Sequence, residues 1–299
     1  MSIPVTSEAT PDRVSVITVA HNSLTVLPGM LGSVPRACPV IVVDNASQEV
    51  APLADLAKKH GAQLIRNDDN RGFGPACNIG AAEAQSEFLL FLNPDARLGD
   101  GAIEALVAAA DAHPQAVAFN PAITDGKGRP YFKRGSVLLP ASARLPAGWP
   151  SADREVPVLT GAAFFVRRSA FEAVGGFDPA IFLYHEDDDL ALRLKSQAGS
   201  LMFVHGARVT HDAGNSTVRS PASAAFKAFH MGRSRVYAAR KHRLPGAGRK
   251  ALVSALVQLV SPLTLLSARK RAKQLAFLRG VLTGLRATGS DPQGPAGSR

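Results

Sequence analysis

Short apolar runs alternate with helix-length segments through the first hundred residues, and this alternation limits the possible folds more than any other feature. Val14–Ala20 and residues 39–43 are β-branched runs that are too short for helices and are bounded by turn residues. The pattern predicts a helix over residues 24–34, capped by Asn22 or Ser23, and another over residues 49–60 that stops at Gly61. The chain therefore begins as strand, helix, strand, helix.

The same alternation continues with strands predicted at residues 63–66 and 87–92 and helices at 74–85 and 101–113. Strands joined by helices of this length require right-handed crossovers, so we predict an α/β fold with a mostly parallel sheet and helices on both faces. Residues 122–157 form a looser excursion. A returning strand at 158–166, a short helix at 169–174 and an acidic helix at 186–197 follow, and beyond residue 215 the pattern is helical without strands.

Polar residues follow each of the first four predicted strands. In open sheets of this type, ligands bind beyond the carboxyl ends of the strands. Four successive strands that end in Asn, Asp or His at one edge therefore predict a polar ligand site. The residues concerned are His21 and Asn22, Asp44 and Asn45, residues 67–71, and Asn93 with Asp95.

Two acidic motifs have the composition of catalytic or metal-binding segments. LNPDA places Asp95 at the mouth of an apolar strand, where a hard cation that bridges phosphate oxygens needs one or two protein carboxylates. HEDDDL places four carboxylates in consecutive positions, from Glu186 to Asp189. A helix dipole accounts for one or two acidic residues in a first turn but hardly for four. Asp187 is the predicted general base.

Seven segments in order resemble the family 2 glycosyltransferases of the GT-A fold, especially the rhamnosyltransferase-like branch. They are VITVAHNS, IVVDNAS, NRGFGPACNIG, FLLFLNPDA, LTGAAFFVRRSAF, VGGFDPAIFLYHEDDDLALRL and ARVTHDAGNS. The resemblance covers about residues 14–216. It implies an inverting transfer from a nucleoside diphosphate sugar, with dTDP-rhamnose as the donor suggested by the branch, and it implies a divalent cation, Mg or Mn.

The resemblance also implies roles for individual residues. Asp187 would be the catalytic base, with Glu186 and Asp189 orienting it or the acceptor, and Asp95 would bind the metal with His211 close to it. The expected nucleotide-sugar contacts are Val19, His21, Asn22, Asp44, Arg71, Gly72, Asn78 and Asn93. Two positions depart from the family pattern. His21 stands where relatives usually have Tyr, and Asn93 stands where the metal motif usually begins with Asp.

The positive charge of the chain is concentrated near its C-terminus. Residues 213–290 contain fifteen Lys or Arg and no acidic residue, whereas the rest of the chain carries 19 basic and 24 acidic residues. Because these basic residues are interleaved with apolar ones, we expect peripheral binding to an anionic membrane surface. The family resemblance implies a glycan or polyprenyl-linked acceptor. The same helices could instead pack on the catalytic domain or on a second copy of the chain, which would make a homodimer.

The domain prediction is a flexible N-terminus at 1–12, a GT-A domain at 13–216, a basic helical region at 217–287 and a disordered tail at 288–299. Two distant cysteines, no zinc-like cluster and no signal or membrane-spanning run predict a cytoplasmic protein. The basic region and the family resemblance imply a peripheral position at the inner face of the cell membrane. A nucleotide-sensing protein with a nucleic-acid- or membrane-binding tail is the alternative. Residues 213–290 contain only four Phe or Tyr and no known nucleic-acid-binding module pattern, so no nucleic acid is expected. A nucleotidyltransferase would need a Gly-rich basic loop after the first strand.

Overall fold

The computed structural model describes residues 11–212, 220–261, 264 and 266–287, and a single mixed sheet forms its centre. The strands are β1 Val14–Ala20, β2 Val40–Asn45, β3 Gln63–Asn67, β4 Phe88–Leu92, β5 Ala96–Leu98, β6 Ala116–Thr124, β7 Pro130–Tyr131, β8 Arg154–Glu155, β9 Ala163–Arg167 and β10 Ser200–His211. The helices are α1 Leu27–Leu31, α2 Val50–Lys59, α3 Phe73–Glu83, α4 Ala102–Ala112, α5 Arg168–Ala173, α6 Glu186–Gln197, α7 Pro221–Lys241, α8 Ala247–Leu259 and α9 Ala268–Arg286.

The main path through the sheet runs β3-β2-β1-β4-β9-β6-β10-β5. Strands β3, β2, β1 and β4 are parallel, as the alternating pattern predicts, and β6 and β10 form a further parallel pair. Strand β9 runs antiparallel to both β4 and β6. In the parallel part, Ala20 pairs with Asp44 and Asp44 pairs with Arg66, so the loops after these strands meet at one edge.

Two apolar layers cover the sheet because its central strands are buried on both faces. All five residues of β4 and all seven of β1 are buried. Helix α3 packs closely on β1 and β2 at Gly80, where an added Cβ would lie 2.6 Å from Ile17 Cγ2 and 3.0 Å from Val43 Cγ2. This close approach holds the C-terminal half of α3 against the centre of the parallel strands.

Two predicted elements are shorter in the structure than the sequence pattern indicated. The first helix spans only Leu27–Leu31, because Pro28 favours the first turn of a helix and Gly32 already caps its end. The returning strand spans only Ala163–Arg167. Before it, the backbone of Thr160 bonds to the Asn120 side chain, and the Gly161 N–H donates to Asp187. The backbone groups of Thr160 and Gly161 therefore bind side chains instead of continuing the β-ladder of the returning strand.

The basic region forms a three-helix bundle that packs on the α/β domain. Helices α7 and α9 cross closely at Gly280, where a Cβ would overlap the carbonyl oxygen of Phe229. Side chains of α7 also reach the first domain: Ser234 Oγ donates to the carbonyl of Leu183 at 2.9 Å, and Tyr237 donates to Asp178 at 3.0 Å. The sequence left open whether these helices pack on the catalytic domain or on a second copy of the chain. In the structure, α7 packs on the catalytic domain.

Some expectations fall on residues that the structure does not describe. They are the flexible N-terminus, apart from its last two residues, the disordered tail from residue 288, and the junction at residues 216 and 217. Across the described ranges, none of the helices has both the length and the hydropathy needed to cross a membrane.

Candidate active site

Asn45, at the end of β2, holds together three of the loops that line the edge of the sheet. Its carbonyl oxygen accepts a hydrogen bond from His21 Nδ1 at 2.8 Å, which ties the loop after β1 to β2. Its carboxamide binds four partners at the end of β3 and in the loop that follows: Asn67 Nδ2 at 3.1 Å, Asn70 Oδ1 at 2.8 Å, the Arg71 N–H at 3.0 Å and the Gly72 carbonyl at 3.1 Å. The Asn45 side chain is therefore a framework for the predicted nucleotide loops.

The predicted base and ribose contacts lie together at this edge. Asp44 is fully buried, accepts from the Ser47 N–H at 2.8 Å and forms an ion pair with Arg66. Asn22 adopts a positive φ of 55°, donates through its backbone to Ser47 Oγ and accepts from the Gln48 N–H with its side chain. Val19, in β1, is buried two residues before His21. The structure thus brings these predicted residues together at one edge of the sheet.

Gly72 caps α3 in a conformation that only glycine tolerates easily. Its φ is 88°, and a Cβ there would overlap the carbonyl oxygen of Phe182. The Phe73 N–H donates to that same carbonyl at 2.9 Å. The loop before α3 therefore contacts the segment that leads into the acidic helix α6. This contact places the polar edge of the sheet next to the carboxylates of α6.

Asn78 has a different environment from the one the sequence led us to expect. Its side-chain Nδ2 donates to the Phe177 carbonyl and its Oδ1 accepts from the Phe177 N–H, both at 2.8 Å. Both polar atoms are therefore engaged by the backbone of a neighbouring loop. We revise the expectation for Asn78 from a diphosphate contact to a residue that positions α3 against the loop before α6.

Asp95 and His211 come together because β5 pairs antiparallel with the end of β10. In this register Ala96 lies opposite His211, and the Asp212 N–H donates to the Asp95 carbonyl at 3.0 Å. His211 Nε2 is 3.2 Å from Asp95 Oδ1 and 3.4 Å from Asn93 Nδ2. The ring is buried, and its Nδ1 has no hydrogen-bond partner. The predicted metal residues are thus adjacent.

The four consecutive carboxylates of α6 have four different environments. Asp187, the least buried of the four, accepts from Lys133 Nζ at 2.7 Å and from the Gly161 N–H at 2.9 Å. Asp188 lies 2.8 Å from the same Lys133 and 3.0 Å from His185 Nδ1. Burial alone would raise the pKa of Asp188, but the hydrogen bond to His185 and the charge of Lys133 outweigh it and lower the pKa to about 2.

Glu186 is the carboxyl group of this cluster that burial affects most. Its side chain is buried, and its Oε2 atom has no hydrogen-bond partner. Burial raises the pKa of Glu186 to about 8, and the charge of neighbouring Asp187 adds to the rise. Near neutral pH Glu186 is therefore mainly protonated, a state in which it can donate a hydrogen bond but cannot accept a proton.

Asp189 faces away from the other three carboxylates and binds the C-terminal bundle. It is fully buried and pairs with Arg193 at 2.8 Å, Lys241 at 2.8 Å and His242 at 2.9 Å. Burial alone would raise its pKa, but hydrogen bonds from His242 and Lys241 lower it to about 2. We therefore revise the expectation that Asp189 orients the base or the acceptor, because its oxygens are committed to holding α7 on α6.

The comparison with protein families agrees with these motifs and their geometry. Residues 15–175 match the model of glycosyl transferase family 2. The chain belongs to this family. The match covers β1 to α5, and therefore includes the polar edge of the sheet and the Asp95 segment.

Two curated relatives extend the match of this family 2 glycosyltransferase. Both are N-acetylglucosaminyl-diphospho-decaprenol L-rhamnosyltransferases of Mycobacterium tuberculosis strains, 34% identical over 219 residues, which is 63% of this chain and 71% of theirs. The resemblance to the rhamnosyltransferase-like branch is therefore confirmed.

Solved structures show the fold of this glycosyltransferase. GalNAc-T7 with UDP, GalNAc and Mn²⁺ aligns with a TM-score of 0.57 and 21% identity, over 74% of this chain and 47% of that one. Staphylococcus aureus TarS 1–349 aligns with a TM-score of 0.54 and 14% identity over 91% of both chains. The mannosyltransferase PcManGT of Pyrobaculum calidifontis aligns with 0.55 and 17%, over 92% and 87%. These likenesses confirm the predicted GT-A fold.

Two residues of the glycosyltransferase site, Lys133 and Gly161, were not predicted from the sequence. Asn45 was predicted as a polar strand-end residue, but its linking role depends on partners in other loops. Lys133 lies in the excursion after β7, where no periodic pattern marks it. Gly161 acts through its backbone N–H, which no side-chain motif can reveal.

Proposed function

We propose that this glycosyltransferase moves a rhamnosyl group from a nucleoside diphosphate sugar onto a hydroxyl of a polyprenyl-diphosphate-linked sugar, with inversion at the anomeric carbon. One observation carries the proposal most directly. The Ala162 carbonyl accepts from the Asn93 N–H at 3.0 Å, and the adjacent Gly161 N–H donates to Asp187 at 2.9 Å. The backbone of Gly161 and Ala162 therefore binds both the segment that carries Asp95 and the Asp187 carboxylate.

The choice of rhamnose and of a lipid-linked acceptor rests on the mycobacterial relatives, whose name specifies both. The donor nucleotide would bind along the edge formed by Asn22, Asp44 and the loop that ends at Gly72. The N-terminus of α3 lies at this edge, and the positive end of its helix dipole suits a diphosphate. The side chain of Arg71 in the same loop adds a cation for the phosphates.

Asp95 and His211 could supply the protein ligands of a divalent cation whose other ligands come from the diphosphate of the donor. In the described residues no cluster of three or more His, Cys, Asp or Glu forms a complete metal site. A cation that bridges phosphates typically takes only one or two carboxylates from the protein and keeps other ligands from substrate and water. The buried His211 ring beside Asp95 fits such a partial set. When bound, the cation would neutralise charge on the leaving diphosphate.

Asp187 is the proposed general base. It is less buried than Glu186, Asp188 and Asp189. Glu186 is a poorer candidate, because burial raises its pKa to about 8. In the reaction the acceptor oxygen forms a bond to the anomeric carbon, and its proton passes to the Asp187 carboxylate. The bond from the anomeric carbon to the diphosphate breaks, and the nucleoside diphosphate leaves with the electron pair. Lys133 and the Gly161 N–H hold the carboxylate in place.

A transfer assay with the full chain tests the proposed function. The protein is incubated with a polyprenyl-diphospho-N-acetylglucosamine acceptor and each of several nucleotide sugars, with Mg²⁺, Mn²⁺ or a chelator. We expect rhamnosylated lipid only from a nucleoside diphosphate rhamnose, and a rise in melting temperature with that donor and the cation. Transfer of another sugar would overturn the donor assignment. Full activity with the chelator would overturn the assigned role of the cation.

A further inference from the structure

We propose that the outer face of α8 and the adjoining start of α9 form a docking surface for an anionic lipid bilayer. The sequence predicted membrane association for the whole basic region, from its composition alone. In the structure, many residues of α7 and α9 are buried within the bundle. The surface that a membrane could contact is therefore smaller than the whole basic region.

The first feature of this surface is a row of exposed aliphatic side chains on α8 and the residue that follows it. Val253, Leu256, Val257 and Val260 are 54%, 46%, 61% and 67% exposed. Their spacing of three, four and seven residues places them on one side of the helix. The opposite side carries Ala251 and Ala255, which are buried in the bundle core. Leu266, between α8 and α9, is 86% exposed.

The second feature is the positive charge that precedes the row on α8 and follows it along the chain at the start of α9. Arg249 and Lys250 are exposed, and they precede Val253 by four and three residues, on the same side of α8. Arg269, Lys270 and Lys273 are exposed in the first turns of α9, shortly after Leu266. Because residues 213–290 contain no Asp or Glu, no acidic residue of this region neutralises these cations.

This combination fits a bilayer better than other partners. Aliphatic side chains can enter the boundary between headgroups and acyl chains, while Lys and Arg at the border meet anionic headgroups. A nucleic acid would satisfy the cations but would leave the Val and Leu side chains without an apolar partner. A second copy of the same face would bring like charges together, which opposes self-association through this surface.

Docking through α8 and α9 also has a consequence for the active site, a step that rests on the proposed lipid-linked acceptor. Helix α7 of the same bundle holds α6 through the ion pair of Lys241 with Asp189 and supports the preceding loop through Ser234. A bundle attached to the membrane would therefore hold the acidic helix at a fixed position relative to the lipid that carries the acceptor.

Vesicle co-sedimentation of the full chain tests the proposal. One variant replaces the aliphatic row (Val253→Ser, Val257→Ser, Val260→Ser), and another removes bordering charge (Arg269→Gln, Lys270→Gln, Lys273→Gln). A matched control changes exposed residues on α2 (Val50→Ser, Lys58→Gln, Lys59→Gln). All three changes lie on the surface, so equal melting temperatures would verify that each variant is folded.

We expect the natural chain and the α2 control to bind phosphatidylcholine vesicles that contain phosphatidylglycerol, and to bind pure phosphatidylcholine far less. Each bundle variant should bind the anionic vesicles at least about tenfold more weakly, and salt should weaken only the charge-dependent part. Unchanged binding of both bundle variants would overturn the proposal. The proposal would also be overturned if the natural chain formed a dimer in solution that the aliphatic variant dissociates. Binding to an oligonucleotide that the charge variant abolishes, with no binding to vesicles, would overturn it as well. Binding is measured without donor or acceptor, so the result is independent of sugar transfer.

Discussion

Lys133 Nζ lies 2.7 Å from Asp187 Oδ2, although the two residues are 54 positions apart in the chain. The same ammonium is 2.8 Å from Asp188 Oδ1. Burial would lower the pKa of Lys133, but the charges of Asp187 and Asp188 outweigh it and raise the pKa above its ordinary value. A residue outside the acidic motif therefore sets the electrostatic environment of the proposed base.

Replacing Lys133 by Met should change the pH dependence of transfer as well as its rate. Without the ammonium, ionisation of the adjacent carboxylates costs more, so their pKa values rise and the acidic limb of the rate profile moves to higher pH. The measurement is kcat against pH. Lys133→Arg keeps the charge and should restore most of the profile. An unchanged acidic limb in Lys133→Met would show that Lys133 has only a packing role.

Asp187→Asn should separate catalysis from donor binding. The amide keeps the shape of the side chain but cannot accept the proton, and loss of a general base typically lowers the rate by about 10² to 10⁴. Donor affinity, measured by calorimetry, should stay within about twofold of the natural chain, because Asp187 lies on the proposed acceptor side. Near-normal turnover would remove Asp187 from the role of base.

Asp95→Asn and His211→Gln should weaken cation-dependent donor binding. Each change removes one ligand from a set that already needs the diphosphate to be complete. Calorimetric titration of the donor with Mg²⁺ or Mn²⁺, and again with a chelator, measures the effect. Asp100 is exposed and lies five residues after Asp95, so Asp100→Asn is a control. Its donor affinity should match that of the natural chain. If the cation strengthens donor binding equally in all four proteins, the two residues do not bind it.

Glu186→Gln should make the stability of the protein less dependent on pH. The pKa of Glu186 is raised from 4.5 to about 8 in the folded state. Between these values the folded chain binds more protons than the unfolded chain, so the free energy of unfolding falls as the pH rises. Gln cannot ionise and removes this term. We expect the melting temperature to fall less between about pH 5 and pH 9 in the variant, and an equal fall in both proteins would contradict the raised pKa.

Asp189→Asn should destabilise the protein because it leaves buried cations without their counter-charge. Removing one partner of a buried ion pair typically costs about 3 to 5 kcal/mol. Glu172→Gln is a matched control, since Glu172 also pairs with an arginine four residues away, but its side chain is 57% exposed. Its loss should cost less than about 1 kcal/mol. Chemical denaturation measures both, and similar costs would show that Asp189 does not hold α7 in place.

Local sequence pattern was sufficient for the strands of the parallel half, but it predicted a longer first helix than the structure has. Each of the first four strands was predicted within about two residues of its observed bounds, because a buried parallel strand reads as a short apolar run with polar ends. The pattern failed for β5, which has only three residues, and for the antiparallel direction of β9. Strand direction depends on how the chain returns to the sheet, and no local periodicity records that path.

The sequence by itself determined which chemical groups are available: an acidic first turn at α6, an Asp at the mouth of β4, and a basic region without counter-charges. Tertiary structure alone decided how those groups are used. It placed His211 beside Asp95 through the pairing of β10 with β5, brought Lys133 to Asp187, and turned Asp189 towards His242. The reason is physical, since burial and long-range contacts decide which of several identical carboxylates stays ionised, becomes protonated or pairs with a cation.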